Sequence, residues 1–191
     1  MIDRIRSCLD RLEPRNLESG FTREAAVLIP VFERGGEYHF LLTRRTDDVE
    51  THKGQISFPG GMREGEEDLF QTALRETFEE VGIEPDRIDP LGRFHDYISI
   101  TGFRVRPFAG YIRSPFTLNV QAREVAEVLA VPIRVFQDPS LLRVERDARI
   151  GRDVNVYYYS YGDHQIWGLT ARIIKEFLEA LNYGTPSDRS L

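Results

Sequence analysis

Apolar residues recur at helical spacing in three stretches of the chain. Apolar positions three and four residues apart, followed by Pro14, predict a short amphipathic helix within residues 1–14. A second such pattern covers residues 67–81 and ends at Gly82, a residue that commonly terminates helices. The third covers residues 168–183. The pattern thus predicts one helix near each end of the sequence and one in the middle.

Most other apolar segments have the features of β-strands. The segments "EAAVLIPVF" and "YHFLLTRR" flank "ERGGE" and predict a β-hairpin, and a short "ISF" precedes the breaker "PGG". Four later segments are β-rich: "IDPLGRFHDYISI", "FRVRPFAGYI", "EVLAVPI" and "VNVYYYSY". Helices before, within and after these strands predict an α/β (α+β) fold with a mixed sheet between helices. Because we find no repeat or linker, we expect residues 1–191 to form a single domain.

Composition narrows the class of protein. With 191 residues, 41% of them hydrophobic, the chain can bury one sizeable core. No apolar run is long enough for a membrane span, and the N-terminus lacks the apolar core of a signal peptide, so we expect a cytoplasmic protein without membrane contact. The single cysteine, Cys8, excludes an intrachain disulfide and a cysteine-cluster zinc site. A net charge of -6 argues against binding to long nucleic acids.

The central helix carries an unusual concentration of charge, "RETFEE". On a helical wheel Glu76, Glu79 and Glu80 share one side, and Arg75 lies one turn before Glu79, where it can neutralise or orient that carboxylate. The opposite side is predicted to pack against the core through Phe70, Leu74, Thr77, Phe78 and Val81. Considered without their surroundings, these charges could simply form a solvent-exposed acidic face of the helix, although like charges at this spacing cost a few tenths of a kcal/mol.

The turn before this helix changes the interpretation. Gly60 and Gly61 permit a tight turn whose backbone carbonyls could approach a cation, and oxygen ligands suit hard cations. The pattern resembles the Nudix box, here residues 61–83, and matches it at seven positions: Gly61, Glu67, Arg75, Glu76, Glu79, Glu80 and Gly82. One departure is Thr77, where the family usually has an aliphatic residue or Ala.

The resemblance implies a fold, a cofactor and a site. The implied fold is the Nudix-type α/β/α sandwich with a mixed β-sheet between helices. The implied cofactor is Mg²⁺ or Mn²⁺, held by Glu76, Glu79, Glu80 and the backbone of Gly61, with Arg75, Glu79 and Glu80 as catalytic residues. Such a cation neutralises diphosphate oxygens and activates water. The sequence contains no P-loop that could handle phosphate instead.

The segment directly before the box narrows the resemblance. "LLTRRTDDVETHKGQISFPGG" is similar to the signature that precedes the box in Nudix hydrolases that cleave coenzyme A. The matching positions include Arg45, Val49, His52 and Gln55, whereas Thr46 departs from the more common Ser or Ala. This resemblance implies substrate binding by Arg45, His52 and Gln55, and a guanidinium suits phosphate. A surface arginine and a loop-anchoring histidine are the alternatives.

Other charged residues have less specific interpretations. In the Nudix family a general base or further metal ligand often comes from a Glu before a late strand, which makes Glu124 the candidate here, with Glu127 second; surface carboxylates are the alternative. Arg104 and Arg106 alternate on a predicted strand and share a face, either toward a phosphate or toward solvent. The histidines His39, His95 and His164 have no metal-ligand spacing.

The leading functional hypothesis is hydrolysis of coenzyme A or acyl-coenzyme A to 3′,5′-ADP and 4′-phosphopantetheine. The nearest rival is a Nudix pyrophosphatase for another nucleoside diphosphate derivative, such as ADP-ribose or NADH. A noncatalytic nucleotide-binding module is a second alternative, although the intact set of box carboxylates argues against it. The expected partner is a small-molecule substrate. A homodimer is also considered, but the sequence leaves the oligomeric state open.

Overall fold

The computed structural model describes residues 1–46, 54–147 and 154–183, and these ranges contain three α-helices and eleven strands. The helices are α1 (Ile2–Arg11), α2 (Leu69–Val81) and α3 (Gly168–Tyr183). The strands are β1 (Arg23–Arg34), β2 (Glu37–Arg45), β3 (Ile56–Ser57), β4 (Gly60–Met62), β5 (Ile88–Arg93), β6 (Tyr97–Ile98), β7 (Phe103–Ile112), β8 (Val125–Pro132), β9 (Leu142–Asp147), β10 (Val154–Tyr161) and β11 (His164–Trp167). Short 3-10 turns occupy Pro85–Arg87, Ile133–Gln137 and Pro139–Leu141.

Eight strands form a mixed sheet, and five of them make a main row in the order β3-β2-β1-β7-β5. Three further strands pair with members of this row: β4 with β1, β6 with β7, and β8 with β2. The pair β1–β7 is parallel and the other pairs are antiparallel, so the expected mixed sheet is confirmed. The last three strands, β9 to β11, form a separate antiparallel sheet that the sequence did not predict.

Both faces of the mixed sheet are buried, which explains the nearly continuous apolar runs of β1 and β2. On β2, Phe40 and Leu42 enter the core shared with α1, α3 and the small sheet, while Leu41 enters the core beneath α2. On β1, Ile29 and Leu28 divide between the two cores in the same way. Helices therefore cover the sheet from both sides, and the predicted α/β/α sandwich is confirmed.

The terminal helices pack on each other. Helix α1 is shorter than the predicted residues 1–14, and its Arg4 donates from Nη2 to the carbonyl of Leu181 in α3 at 2.7 Å. Cys8 is buried at this contact, and its Sγ donates to the carbonyl of Ala180 at 3.4 Å. Burial also raises the pKa of the thiol, consistent with a packing role for Cys8. Helix α3 has the predicted bounds.

Helix α2 begins at Leu69, later than the predicted residue 67, because Asp68 caps it by accepting from the amide of Phe70 at 2.8 Å. It ends at Gly82, whose φ of 72° is the left-handed conformation that glycine adopts readily. The predicted packing face is wrong at Phe78, which is 43% exposed. Phe78 lines an open cavity of about 460 Å³.

None of the helices within residues 1–46, 54–147 and 154–183 is long and apolar enough to cross a membrane.

Candidate active site

The tight turn predicted at Gly60 and Gly61 is not observed, because both residues belong to strand β4, which pairs with β1. In the antiparallel pair β1–β4, Gly60 lies opposite Val27 and Gly61 opposite Ala26. A Cβ on Gly61 would lie 2.4 Å from Cδ of Glu76 and 2.5 Å from each of its carboxylate oxygens. The absent side chain of Gly61 therefore leaves the space that the Glu76 carboxylate occupies.

Arg75 connects strand β4 to the acidic side of α2. Its Nη1 donates to Glu76 at 2.9 Å and to Glu79 at 3.1 Å, the predicted pair one helical turn apart. Its Nη2 donates to the carbonyl of Met62 at 3.0 Å and to Glu67 at 2.9 Å. One guanidinium thus binds three carboxylates and the backbone of β4.

Glu67 also belongs to the site, because it binds Arg75. The sequence placed it in the box without indicating a role. Hydrogen bonding to Arg75 lowers the pKa of Glu67 to about 2, and Glu67 correspondingly raises the pKa of Arg75. Glu67 also accepts from the amide of Glu64 at 2.9 Å, which holds the loop before α2. The fixed eight-residue separation between Glu67 and Arg75 was the available signal.

Glu80 lies in a different environment from the other box glutamates. It is 3% exposed, although the helical wheel placed it on the charged side of α2. Thr43 of β2 donates from Oγ1 to its carboxylate at 3.2 Å. Burial raises the pKa of Glu80 to about 7, even though the positive charge of Arg45 and the hydrogen bond from Thr43 act to lower it.

Arg45 brings the upstream segment to the same helix. Its charge acts on Glu80, and its backbone amide donates to the carbonyl of Gln55 at 3.0 Å, so Arg45 and Gln55 are brought together. Among the described residues, Arg45 Nε is buried and has no hydrogen-bond partner, as is also true of Arg93 Nε and Arg104 Nε. His52, and Val49 of the same signature, lie outside the described residues.

The structure separates the two candidate glutamates of the later loop. Glu124 lies near enough to Glu76 for its charge to contribute to the raised pKa of Glu76, after burial and together with Glu79. Glu127 instead pairs with Arg44 at 3.2 Å and approaches His164 at 3.4 Å. Glu124 therefore joins the acidic cluster, whereas Glu127 has other partners.

The alternating arginines of β7 have neither a free nor a solvated face. Arg106 donates to both carboxylate oxygens of Asp96, at 2.7 and 2.9 Å. Arg104 pairs with Glu24 and donates to the carbonyl of Leu17 at 2.7 Å. Arg104 and Arg106 therefore do not form a solvated strand face, because these side chains link β7 to earlier parts of the chain.

The cluster fits a divalent cation by donor type. The carboxylates of Glu76, Glu79, Glu80 and Glu124 supply the oxygen ligands that hard cations prefer, and their mutual repulsion is relieved by positive charge. As they stand, no three acidic, histidine or cysteine side chains in the described part of the chain surround one point closely enough to hold a metal. Arg75 occupies Glu76 and Glu79 with its own hydrogen bonds.

Fold and site together define an α+β protein in which an acidic helix packs beside a glycine-containing strand. The chain belongs to the Nudix family, because residues 22–141 match the family model of the NUDIX domain. The Nudix hydrolase NudL of Photorhabdus laumondii, an uncharacterized protein, is 35% identical over 167 residues, which cover 87% of this chain and 88% of NudL. The NudL of Cronobacter sakazakii, also uncharacterized, is 36% identical over 182 residues, 92% of each chain.

Solved structures support the fold. A MutT/nudix family protein from Enterococcus faecalis superposes with a TM-score of 0.56 over 91% of this chain and 66% of that protein, at 17% identity. An Ap4A hydrolase from C. elegans gives a TM-score of 0.51 over 59% of this chain and 82% of the hydrolase, at 19% identity. At such identities the likeness concerns the fold alone. Nudix hydrolases generally use divalent metals such as Mg²⁺ or Mn²⁺.

Proposed function

We propose that this Nudix hydrolase cleaves the diphosphate bond of coenzyme A or its derivatives, giving 3′,5′-ADP and 4′-phosphopantetheine. The supporting observation is a contact between the segment before the box and the box helix, where Thr43 donates from Oγ1 to the Glu80 carboxylate at 3.2 Å. Arg45 belongs to the signature similar to that of coenzyme A-cleaving relatives, Glu80 belongs to the box, and their charges interact. This contact supports a single site formed by the segment before the box and helix α2.

In this proposal the box holds the cofactor. Glu76, Glu79 and Glu80 bind Mg²⁺ or Mn²⁺, together with the backbone carbonyl of Gly61. When bound, the cation supplies neutralisation of the diphosphate oxygens and activation of water. Arg75 orients the carboxylates, since it already donates to Glu76 and Glu79.

Protein side chains bind the substrate and accept the proton. Arg45 donates to a diphosphate oxygen through its planar guanidinium, and Gln55 and His52 complete the substrate contacts. Glu124 accepts a proton as water attacks one phosphorus in line. The new P–O bond forms as the bridging P–O bond breaks, and the departing phosphate takes the electron pair.

Product analysis tests this proposal directly. The protein is incubated with coenzyme A, ADP-ribose or NADH, each with Mg²⁺, Mn²⁺ or EDTA, and the products are separated by chromatography. We expect 3′,5′-ADP from coenzyme A, blocked by EDTA. Faster turnover of ADP-ribose or NADH would keep the family chemistry but reject coenzyme A as the substrate.

A charge-neutralising variant tests the helix. Glu80→Gln should lower the rate by about 10² or more, the effect typical of losing one preorganised electrostatic group. The matched control is Glu66→Gln in the loop before α2, because the Glu66 side chain is fully exposed. Unchanged rates in Glu80→Gln would contradict the proposed role of the box.

A further inference from the structure

Residues 119–125, called here the Glu124 segment, close the C-terminal end of α2. The amide of Asn119 donates to the carbonyl of Val81 at 2.9 Å, and the amide of Gln121 donates to that of Glu80 at 3.0 Å. The last carbonyls of a helix lack partners within the helix. The segment supplies two of these partners, so its first half is fixed to the helix that carries Glu80.

The other end of the Glu124 segment is fixed by Thr46, the residue after β2. The Thr46 amide donates to the carbonyl of Glu124 at 3.0 Å, and its Oγ1 donates to the carbonyl of Arg123 at 2.9 Å. Thr46 is only 9% exposed. One buried residue therefore binds two consecutive peptide groups of the segment, one of them through its hydroxyl.

The pairing of β2 with β8 is irregular at this place. Arg44 lies opposite Glu127, but Arg45 lies opposite Val125, so the register shifts between the two arginines. Bulges of this kind occur next to active sites, where they redirect side chains. The carbonyl of Gln121 closes the turn by accepting from the amides of Glu124 and Val125 at 3.0 and 2.9 Å.

The Glu124 side chain is exposed, so its position depends on its backbone. We infer that Thr46 is a positioning residue, whose hydroxyl fixes the Glu124 segment and with it the backbone from which the Glu124 side chain projects. The inference rests on the proposed role of Glu124 in hydrolysis. Because Thr46 follows Arg45 directly, the end of β2 then sets the places of both the substrate-binding arginine and the proton acceptor.

Two variants separate the hydroxyl from the volume of the side chain. Thr46→Val keeps the shape but removes the donor, and Thr46→Ser keeps the donor. We expect Thr46→Val to lower kcat about 10-fold with KM changed less than about 2-fold, because misplacing a reacting group affects the chemical step. Thr46→Ser should retain at least about half of kcat. Thr46→Ala provides the same comparison if Thr46→Val does not fold.

A double-mutant cycle tests whether Thr46 acts through Glu124. In a Glu124→Gln background, Thr46→Val should cause no further loss, since the group that it positions is gone. Amide hydrogen exchange of metal-free protein adds a readout independent of activity. Exchange in residues 119–125 should be faster in Thr46→Val than in the unaltered chain and unchanged in Thr46→Ser.

The outcomes separate this inference from the proposed function. Full additivity in the cycle, equal losses in Thr46→Val and Thr46→Ser, or unchanged exchange would overturn the positioning role alone. Unaltered activity in Glu124→Gln would overturn the positioning role together with the proposed role of Glu124 as proton acceptor. Failure of the unaltered chain to hydrolyse coenzyme A, ADP-ribose and NADH would overturn the proposed function, and the role of Thr46 with it.

Discussion

Arg75 and Glu67 are joined at two points, with Nη2 2.9 Å from Oε1 and Nε 3.3 Å from Oε2. This fork geometry fixes the plane of the guanidinium. The remaining nitrogen, Nη1, then points to Glu76 and Glu79. Glu67 therefore acts on the candidate metal-binding carboxylates through Arg75.

Replacing Glu67 by Gln should weaken hydrolysis without abolishing it. Gln can accept at one point only and carries no charge, so Arg75 loses its fixed orientation. We expect kcat/KM to fall about 10-fold, less than for a direct metal ligand, because geometry is disturbed and no cation ligand is removed. Steady-state kinetics with coenzyme A measures the effect. A loss no larger than in Glu66→Gln, where the carboxylate is fully exposed, would contradict the coupling.

The same pair predicts sensitivity of the fold to acid. The pKa of Glu67 is lowered in the folded state to about 2, so its contribution to the free energy of unfolding is complete above its ordinary value near 4.5. This contribution is lost as the pH falls from about 4.5 to about 2. Urea denaturation at pH 5 and pH 3 should show a smaller loss of stability in Glu67→Gln than in the unaltered chain. Equal losses would contradict this assignment.

The parts of the fold that local patterns control were predicted well. Strand β7 and helix α3 have the expected bounds, because alternation, glycine and helical spacing act over a few residues. The contact of Arg75 with Glu79 was also predicted, since both lie on one helix. Local geometry sufficed for these features.

The features that were missed depend on parts far apart in the chain. Glu80 is buried because Thr43 of β2 meets it, and a helical wheel gives a direction but not what lies there. A solvated face was one expectation for Arg106, but its guanidinium donates to Asp96, which lies just before β6. Phe78 is apolar on the predicted packing side, yet it is 43% exposed. Tertiary contacts decide each of these cases.

The buried Glu80 predicts the opposite pH dependence from Glu67. The pKa of Glu80 is raised in the folded state to about 7. Its contribution to the free energy of unfolding is therefore complete below about 4.5 and is lost as the pH rises through 7. We expect the free energy of unfolding in EDTA to fall between pH 5 and pH 8, and to fall less in Glu80→Gln. Urea denaturation at both pH values measures this. An identical decrease in both proteins would show that Glu80 does not titrate in this range.

The contact between Gly61 and Glu76 predicts a steric effect of one methyl group. In Gly61→Ala the new Cβ would lie 2.4 Å from Cδ of Glu76, so the carboxylate must move. We expect hydrolysis to fall at least about 10-fold, because displacing a catalytic group by 1 Å can cost up to 100-fold. Kinetics and a thermal melt of the same preparation measure activity and folding separately.

Gly65→Ala is the matched control for that variant. A Cβ on Gly65 meets nothing within 4 Å, although its φ of 53° makes a side chain unfavourable. It should therefore lose about 1 kcal/mol of stability but little activity. If Gly61→Ala is as active as Gly65→Ala, the Gly61 backbone does not constrain Glu76.

Asp96 is predicted to stabilise the fold. Its side chain is fully buried, receives two hydrogen bonds from Arg106 and accepts from the amide of Leu17 at 3.1 Å. Asp96→Asn leaves the Arg106 charge without its counterion and should cost about 3 kcal/mol in urea denaturation. The control is Asp89→Asn, because Asp89 pairs with Arg113 at an exposed site and should cost less than about 1 kcal/mol. Similar costs in the two variants would mean that burial does not strengthen the dependence on Asp96.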